Sequence, residues 1–209
     1  MAHEDEGALL RAWQQGDARA GNAFVKRHFQ LVYAFLATKV DDPKDLTQRT
    51  FLACLEGADR FRGESSLNTY LLAIARKQLY SDIRKRHVRD RAFDPTLVCA
   101  AELGPSPSSA LDHKREQRLM IAALRSLPLQ VQILLELTYW EAMKQDDIAV
   151  VLDIPAGTVK SRLHRARAQL REAVTRLAES PDLRQTTLDN LERWALSVRA
   201  QLEGAAGSS

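Results

Sequence analysis

The sequence has few cysteines, no long apolar run and no secretion signal, and each absence excludes a class of protein. Cys54 and Cys99 belong to no C-x-x-C or Cys/His grouping, so we expect reduced, structural thiols rather than a disulfide or a zinc site. No apolar stretch approaches the ~20 residues that span a bilayer. The first residues, MAHEDEGALLRAW, also lack the basic and apolar regions of a signal peptide. We therefore expect a cytoplasmic protein that does not insert into membranes.

The residue patterns of enzymes are also missing. The five histidines show no metal-ligand spacing, and there is no nucleophile motif or phosphate-cradling glycine loop. These histidines are His3, His28, His87, His113 and His164. The sequence therefore predicts a protein without catalytic residues, metal or cofactor.

The apolar residues that are present recur at helical spacing, and no segment shows convincing strand alternation. Val25, Phe29, Val32, Leu36 and Val40 indicate a long helix with one buried face. The residues at 41–43 break it, and a second helix can begin near residue 44 and end at 57. A third helix, capped by residue 66 or 68, has the stripe Leu72, Ala75, Leu79 and Ile83. The chain is predicted to be all-α.

A segment rich in proline and serine, DPTLVCAAELGPSPSS, divides the chain and is typical of a flexible linker. Helical periodicity resumes at Leu111 and continues to Pro128, and VQILLELTYW follows as a strongly apolar helix. We predict one domain over 1–92, a linker over 93–113 and a second domain over 114–178. A C-terminal extension, 179–209, is expected to form one more helix.

Basic residues are concentrated in two places, although the net charge of +3 is too small to indicate a nucleic-acid partner by itself. From residue 60 to residue 91 there are nine basic and three acidic residues, a local net of +6. Arg76, Lys77, Tyr80 and Arg84 lie beside the apolar stripe of the third helix. This flank is a candidate phosphate-binding surface.

The second basic cluster lies within a helix-turn-helix pattern, QDDIAVVLDIPAGTVKSRLHRARAQLREAV from residue 145. A short helix, a break at 153–155 and a longer helix follow in order, and the longer helix has six basic residues and one acid between 158 and 176. In this motif the start of the second helix reaches base edges in the major groove. We assign base or nearby phosphate contacts to Thr158, Lys160, Ser161 and Arg162, and mainly backbone contacts to Arg165 and Arg167.

Together the two halves resemble the extracytoplasmic-function (group 4) branch of the bacterial RNA polymerase sigma factors, over roughly residues 10 to 178. DLTQRTFLACLEGADRFRGESSLNTYLLAIARKQLYSDIRKR is similar to the family's region 2. LPLQVQILLELTYWEAMKQDDIAVVLDIPAGTVKSRLHRARAQL is similar to its region 4. The resemblance implies two helical domains that bind core polymerase, read the minus-ten and minus-thirty-five promoter elements, and assist DNA melting. Its implied partners are promoter DNA, the coiled coil and flap of core polymerase, and an anti-sigma factor.

The resemblance also implies roles for individual residues. It implies that core polymerase docks on Asp45, Leu46, Thr47, Gln48, Thr50 and Phe51. For the apolar side chains, Leu46 and Phe51, ordinary packing within the domain is the alternative. It implies that a base flipped out of the minus-ten element is captured by Phe61, Arg62, Gly63, Glu64, Ser65 and Ser66. It also implies that the non-template strand is contacted by Asn68, Tyr70, Arg76, Lys77, Tyr80 and Arg84.

The chain departs from the family pattern at four places. Arg49 replaces a usual acidic residue and could weaken or retune docking, and Tyr70 replaces a usual tryptophan. The connection at 41–44 is short. Asp153 replaces the glycine of the turn, where aspartate tolerates left-handed geometry better than most residues.

Two questions stay open at this stage. A stand-alone regulator could use the same helix-turn-helix on a duplex operator, although that function would not explain the basic segment at 60–91. In the extension, Leu188, Leu191, Ala195, Val198 and Leu202 indicate a helix with a coiled-coil-like seam. Packing onto the second domain explains this seam at least as well as a regulatory or oligomeric role.

Overall fold

The computed structural model describes residues 2–87, 94–103 and 115–189, and within these ranges the regular structure is helical, without a β-strand. The predicted all-α class is therefore confirmed. None of the helices in the described ranges has the length and apolarity that crossing a membrane requires.

The first domain consists of α1 (Ala2–Gln14), α2 (Ala18–Ala37), α3 (Pro43–Glu56) and α4 (Leu67–Arg86), with a 3-10 turn at Ala58–Arg60. The helix boundaries follow the predicted breaks. Asp42 caps α3 by accepting a hydrogen bond from the Lys44 N–H, and Gly57 ends this helix. Ser66, rather than Asn68, caps α4 by accepting from the Thr69 N–H at 3.1 Å.

Helix α1 was not predicted, because its single buried stripe is short. Leu10 is buried, and the Trp13 ring lies 5.6 Å from the Phe24 ring of α2, centroid to centroid. Gly21 permits this approach, since a Cβ atom there would lie 2.4 Å from the Trp13 ring. α1 thereby closes the core of the first domain, mainly against α2.

The second domain consists of α5 (Arg115–Arg125), α6 (Leu129–Tyr139), α7 (Gln145–Leu152), α8 (Ala156–Leu177) and α9 (Pro181–Asp189). Its core is formed by the buried faces of α5, α6 and α8, with Ile133, Val159 and Leu163 near the centre. The helix-turn-helix is α7 and α8. Asp153 has φ 57° and ψ 53°, so the aspartate adopts the left-handed conformation expected at the position of the family's glycine.

The described part of the predicted linker, residues 94–103, packs on the second domain and is not a free tether. The Val98 and Thr96 carbonyls accept hydrogen bonds from the Leu129 and Gln130 N–H groups at 2.8 and 3.2 Å. These donors belong to the first turn of α6, whose cap, Pro128, offers no side-chain acceptor. The linker therefore caps α6, a helix whose own first residues provide no cap. A prediction of flexibility from composition cannot detect such a contact.

The start of the C-terminal extension packs on the second domain. α9 contacts α5 and α8, with Thr187 buried and Leu183 and Leu188 half-buried against the core. The remaining residues of the predicted seam, from Leu191 to Leu202, lie outside the described residues.

Candidate nucleic-acid interface

The predicted DNA-contacting residues of α8 divide between two sides of the helix. At roughly 100° per residue, Thr158, Ser161, Arg162 and Arg165 share one side, while Lys160 and Arg167 lie on the other. Of these, Thr158 is half-buried and the rest are exposed. The buried stripe, with Val159 and Leu163 in it, separates the two sides. The structure therefore brings four of the six residues together.

Arg167 has a partner within the protein. Its Nε donates to the Tyr139 hydroxyl at 2.6 Å, and its guanidinium lies 5.6 Å from the Tyr139 ring centroid. This contact joins α8 to α6 beside the recognition surface. Arg167 can thus position α8, in addition to the predicted contact with the DNA backbone.

The loop between α3 and α4 encloses a cavity of about 460 Å³. Its lining contains Asp59, Arg60, Phe61, Arg62, Gly63, Glu64, Ser65 and Tyr70. The Phe61 and Tyr70 rings lie 5.2 Å apart at an angle of 45°, and the Tyr70 hydroxyl donates to the Gly57 carbonyl at 3.0 Å. Two aromatic faces with nearby charged and hydroxyl groups are the chemistry that holds an unpaired base.

Two residues beside this loop line the cavity without having been selected from the sequence. Asp59 and Arg60 lie in the 3-10 turn that precedes the family motif, where no sequence pattern marked them. Ser66, which was predicted to contact DNA, caps α4. Gly63 has φ +73°, a left-handed conformation that glycine adopts without strain.

Along α4, the predicted strand-contacting residues differ in what they contact. Lys77 and Arg84 are exposed, and the Asn68 Oδ1 accepts a hydrogen bond from the Nδ1 of buried His28 on α2, at 3.0 Å. Arg76 lies over the Tyr80 ring at 4.9 Å and donates to the Val151 carbonyl of α7 at 3.4 Å. Arg76 is therefore engaged by the second domain in this arrangement.

The predicted docking helix, α3, exposes only part of the predicted set. Asp45 and Gln48 are exposed, whereas the other four side chains are buried within the protein. These four are Leu46, Thr47, Thr50 and Phe51. For Leu46 and Phe51, this burial is what the packing alternative expects. It also exposes Leu52, at 50% of its surface, which sequence reasoning did not select.

The unusual Arg49 is paired inside the first domain. Its guanidinium bonds the Asp45 carboxylate one helical turn away and the Asp82 carboxylate of α4, the latter at 3.2 Å. The hydrogen bond to Asp45 is the main reason that the pKa of Arg49 is raised. The reversed charge is therefore largely neutralised by neighbouring acids.

Neither cysteine forms a disulfide, and the cluster that a metal would need is absent from the described ranges. Cys54 is fully buried, and this burial raises the pKa of its thiol to about 12. Both observations agree with structural thiols.

Two family models, both for regions of sigma-70-type factors, match the two helical domains. The model for Sigma-70 region 2 matches residues 24–89, and the model for Sigma-70, region 4 matches residues 117–170.

Two proteins of similar sequence belong to one branch of the sigma factors. The chain is 34% identical over 195 residues to the ECF RNA polymerase sigma factor SigC of Mycobacterium tuberculosis (strain CDC 1551 / Oshkosh), covering 87% of this chain and 97% of that protein. It is 28% identical over 177 residues to the ECF RNA polymerase sigma-E factor of Haemophilus influenzae, covering 80% and 94%. The chain belongs to the extracytoplasmic-function RNA polymerase sigma factors. It directs RNA polymerase to promoters, and the stand-alone regulator is not favoured.

The fold also resembles a solved sigma factor. The sigma factor RpoE, in its complex with the anti-sigma factor NepR from Bartonella quintana, superimposes with a TM-score of 0.53 at 24% identity, covering 73% of this chain and 97% of that chain. At this identity the similarity concerns the fold.

Proposed function

We propose that this sigma factor reads a promoter with two separate surfaces, one on each domain, while α3 holds core polymerase. The cavity that Phe61 and Tyr70 line, in the same chain as the helix-turn-helix, is the observation that carries the proposal. A duplex-operator regulator has no use for a base-sized cavity. A factor that stabilises melted DNA requires one.

In the first domain, the cavity takes one base of the minus-ten element after it leaves the duplex. Phe61 and Tyr70 supply stacking surfaces, and Arg60 and Arg62 supply cationic hydrogen-bond donors beside it. Lys77 and Arg84 then follow the phosphates of the non-template strand along α4. Because a captured base cannot re-pair, its capture stabilises the melted region.

In the second domain, the side of α8 that contains Thr158, Ser161, Arg162 and Arg165 enters the major groove of the minus-thirty-five element. Arg162 is exposed there, and its guanidinium can donate two hydrogen bonds to a guanine edge. Lys160 and Arg167 contact backbone phosphates at the flank. Both domains acting on one DNA molecule raise the affinity beyond that of either alone.

The docking surface on α3 consists of Asp45, Gln48 and Leu52. This surface combines an acid, an amide and an exposed apolar side chain, which suits a basic, amphipathic helical partner such as the coiled coil of the largest polymerase subunit. The second domain meets the polymerase flap. These functions require no chemical step, so the protein is not an enzyme, and they imply a cytoplasmic location.

An anti-sigma factor is a further proposed partner. The solved RpoE is bound to an anti-sigma factor, and such a partner would have to cover the same docking and DNA surfaces. The proposal concerns the class of partner and no particular protein.

Run-off transcription tests the proposed function. Purified core polymerase is supplied with a library of promoters from the source organism, with and without this protein. Specific transcripts that appear only with the protein are expected, and their start sites identify both promoter elements. The absence of transcripts together with a tight shift of duplex DNA by the protein alone would favour the operator-binding regulator instead.

A further inference from the structure

A buried histidine holds the side chain of Asn68, one of the residues predicted to contact the non-template strand. His28 of α2 is only 3% exposed and packs on the Phe24 ring, with 4.9 Å between the ring centroids. Its Nδ1 lies 3.0 Å from the Asn68 Oδ1. Because an amide oxygen can only accept a hydrogen bond, the proton in this contact belongs to Nδ1. The bond therefore fixes both the tautomer of His28 and the orientation of the Asn68 carboxamide.

The backbone of Asn68 is held as firmly as its side chain. Asn68 is the second residue of α4, and its two neighbours, Leu67 and Thr69, are buried. Ser66 fixes the start of this turn by accepting the hydrogen bond from the Thr69 N–H. Asn68 itself is exposed. A single exposed amide thus stands on a fixed first turn, two residues before Tyr70 of the base-sized cavity.

The orientation of this amide decides what it can bind. A carboxamide has an oxygen that accepts hydrogen bonds and an NH2 group that donates them, on opposite sides of the same carbon. Since Oδ1 is turned to the buried His28, the NH2 group is the part of Asn68 that is left for a ligand. N–H donors suit phosphate oxygens and the oxygen and ring-nitrogen acceptors of bases. They do not suit the amino groups of bases.

We infer that His28 is a positioning residue, which turns the Asn68 carboxamide so that its NH2 group faces the non-template strand and binds hydrogen-bond acceptors there. This inference rests on the proposed function, because Asn68 belongs to the DNA surface of the first domain. His28 is too deeply buried to contact DNA and acts only through Asn68. The amide is thereby preorganised, since it does not have to choose between two orientations when the strand binds.

The competing explanation is that Asn68 only satisfies a buried histidine. A buried imidazole N–H without an acceptor destabilises a fold, so the same hydrogen bond would stabilise the protein even if Asn68 never met DNA. The two explanations differ in the coupling that they predict. A residue that acts through Asn68 loses its effect on transcription once the Asn68 amide is removed, whereas an independent structural effect persists.

Run-off transcription from a library of minus-ten elements measures this coupling, with holoenzyme formed from each full-length variant. Asn68→Ala removes the whole amide, and Asn68→Asp keeps the oxygen that accepts from His28 but replaces the NH2 group with an anionic oxygen. Asn22→Asp, at an exposed asparagine of α2, is the matched control for charge. His28→Leu removes the buried donor. His28→Asn restores one, because the asparagine amide nitrogen is as many bonds from Cα as Nδ1 is.

The two Asn68 variants should transcribe less than the wild type. Asn68→Ala should lower the transcript yield by about 2- to 10-fold, the range of one hydrogen bond, and Asn68→Asp should lower it further by repelling phosphates. Asn22→Asp should match the wild type. A base contact would confine the loss to templates that differ at one position of the element, whereas a phosphate contact would lower all transcripts alike.

The His28 variants should act through the amide alone. His28→Leu should lower the yield by about twofold, because a freely rotating carboxamide presents its NH2 group roughly half of the time. His28→Asn should restore the yield, and His28→Leu should have no further effect in the Asn68→Ala background. Circular dichroism establishes that each variant keeps its helices. The Asn68 variants change only an exposed side chain, so they test the inference even if His28→Leu fails to fold.

Nitrogen-15 NMR of the free protein supplies a readout that does not depend on transcription. The ring nitrogen shifts of His28 report which nitrogen carries the proton, and we expect Nδ1 in the wild type and a loss of this preference in Asn68→Ala.

An unprotonated Nδ1 in the wild type, Asn68 variants that transcribe like the wild type, or a His28→Leu effect that persists in the Asn68→Ala background would each overturn the inference. In all three cases, specific transcripts from the wild-type holoenzyme leave the proposed function intact. The absence of any transcript from the wild-type holoenzyme rejects the proposed function instead, and the inference with it.

Discussion

Arg49 of α3 bonds Asp82 of α4 at 3.2 Å, so a residue that departs from the family pattern joins the proposed docking helix to the proposed DNA-contacting helix. The same guanidinium pairs with Asp45, one turn away on α3. Asp45 is also one of the few predicted docking residues that are exposed. Arg49 therefore competes with any basic partner for the Asp45 carboxylate.

Replacing Arg49 with glutamine should strengthen docking. Arg49→Gln frees the Asp45 carboxylate for a cationic partner, so the Kd for core polymerase should fall by about 2- to 5-fold, the range of one exposed ion pair. The melting temperature should drop by roughly a few degrees, because the pair with Asp45 is solvent-exposed and the pair with Asp82 is only partly buried. Fluorescence anisotropy against core polymerase measures the Kd. Lys26→Met, which replaces an exposed lysine on α2, is the control. Weaker binding by Arg49→Gln would mean that Arg49 itself contacts polymerase.

Removal of the Phe61 ring should impair promoter melting. Stacking of one base on an aromatic ring contributes about 1–3 kcal/mol, so Phe61→Ala should lower open-complex formation by roughly 5- to 150-fold. Permanganate reactivity of minus-ten thymines in holoenzyme complexes provides the measurement. Tyr70→Phe is the matched control, since it keeps the second ring and loses only the hydrogen bond to Gly57. Equal reactivity of Phe61→Ala and the wild type would contradict base capture at this loop.

Arg162 should read the minus-thirty-five element. Arg162→Ala should cost about 1–3 kcal/mol of binding to that element and relax the preference at one base position. Run-off assays on promoters with single changes in the element give both quantities. Arg171→Ala, which removes another exposed arginine of α8 outside the predicted set, should weaken binding evenly across sequences. A loss of specificity in Arg171→Ala, but not in Arg162→Ala, would mean that a different face of α8 enters the groove.

A fourth prediction concerns the stability of the helix-turn-helix. Ala142, before α7, has φ 47°, a left-handed conformation that costs an L-residue about 1–2 kcal/mol. Ala142→Gly should raise the free energy of unfolding by about 0.5–1 kcal/mol, the strain relief less the greater entropy that glycine loses. Urea denaturation measures it. Asp153→Gly should raise the free energy of unfolding by less, because aspartate adopts the left-handed conformation more readily than alanine. A larger increase for Asp153→Gly than for Ala142→Gly would contradict this prediction.

The helix boundaries of the two domains could be predicted from local signals. Proline at 43, glycine at 57 and serine at 66 each act within one helical turn, and the structure ends or begins helices at all three. Asp153 was also predictable, because the turn requires a left-handed residue and few residue types tolerate one. These signals are short-range and need no knowledge of the remaining chain.

Contacts between distant segments could not be predicted in this way. Nothing near Lys39 in the sequence indicates that its partner is residue 136, and composition alone predicted a flexible linker where residues 96 and 98 cap α6. The burial of Thr47 and Thr50 was missed for a similar reason. Each hydroxyl donates to the carbonyl four residues earlier, at 2.7 Å, so a polar side chain can face the core without a distant partner.

The seating of the linker on the second domain limits how far the protein can reach. From His87 to Asp94 the chain extends at most about 25 Å, and each domain spans roughly 30 Å. With the linker seated on α6, the far sides of the two domains can therefore lie at most about 85 Å apart. The names of the minus-ten and minus-thirty-five elements place them about 25 base pairs apart, which is also roughly 85 Å. The seated linker thus leaves almost no slack: the factor spans a promoter either with both outward faces on the DNA or by releasing residues 96 and 98, in which case the first turn of α6 exchanges its caps for water.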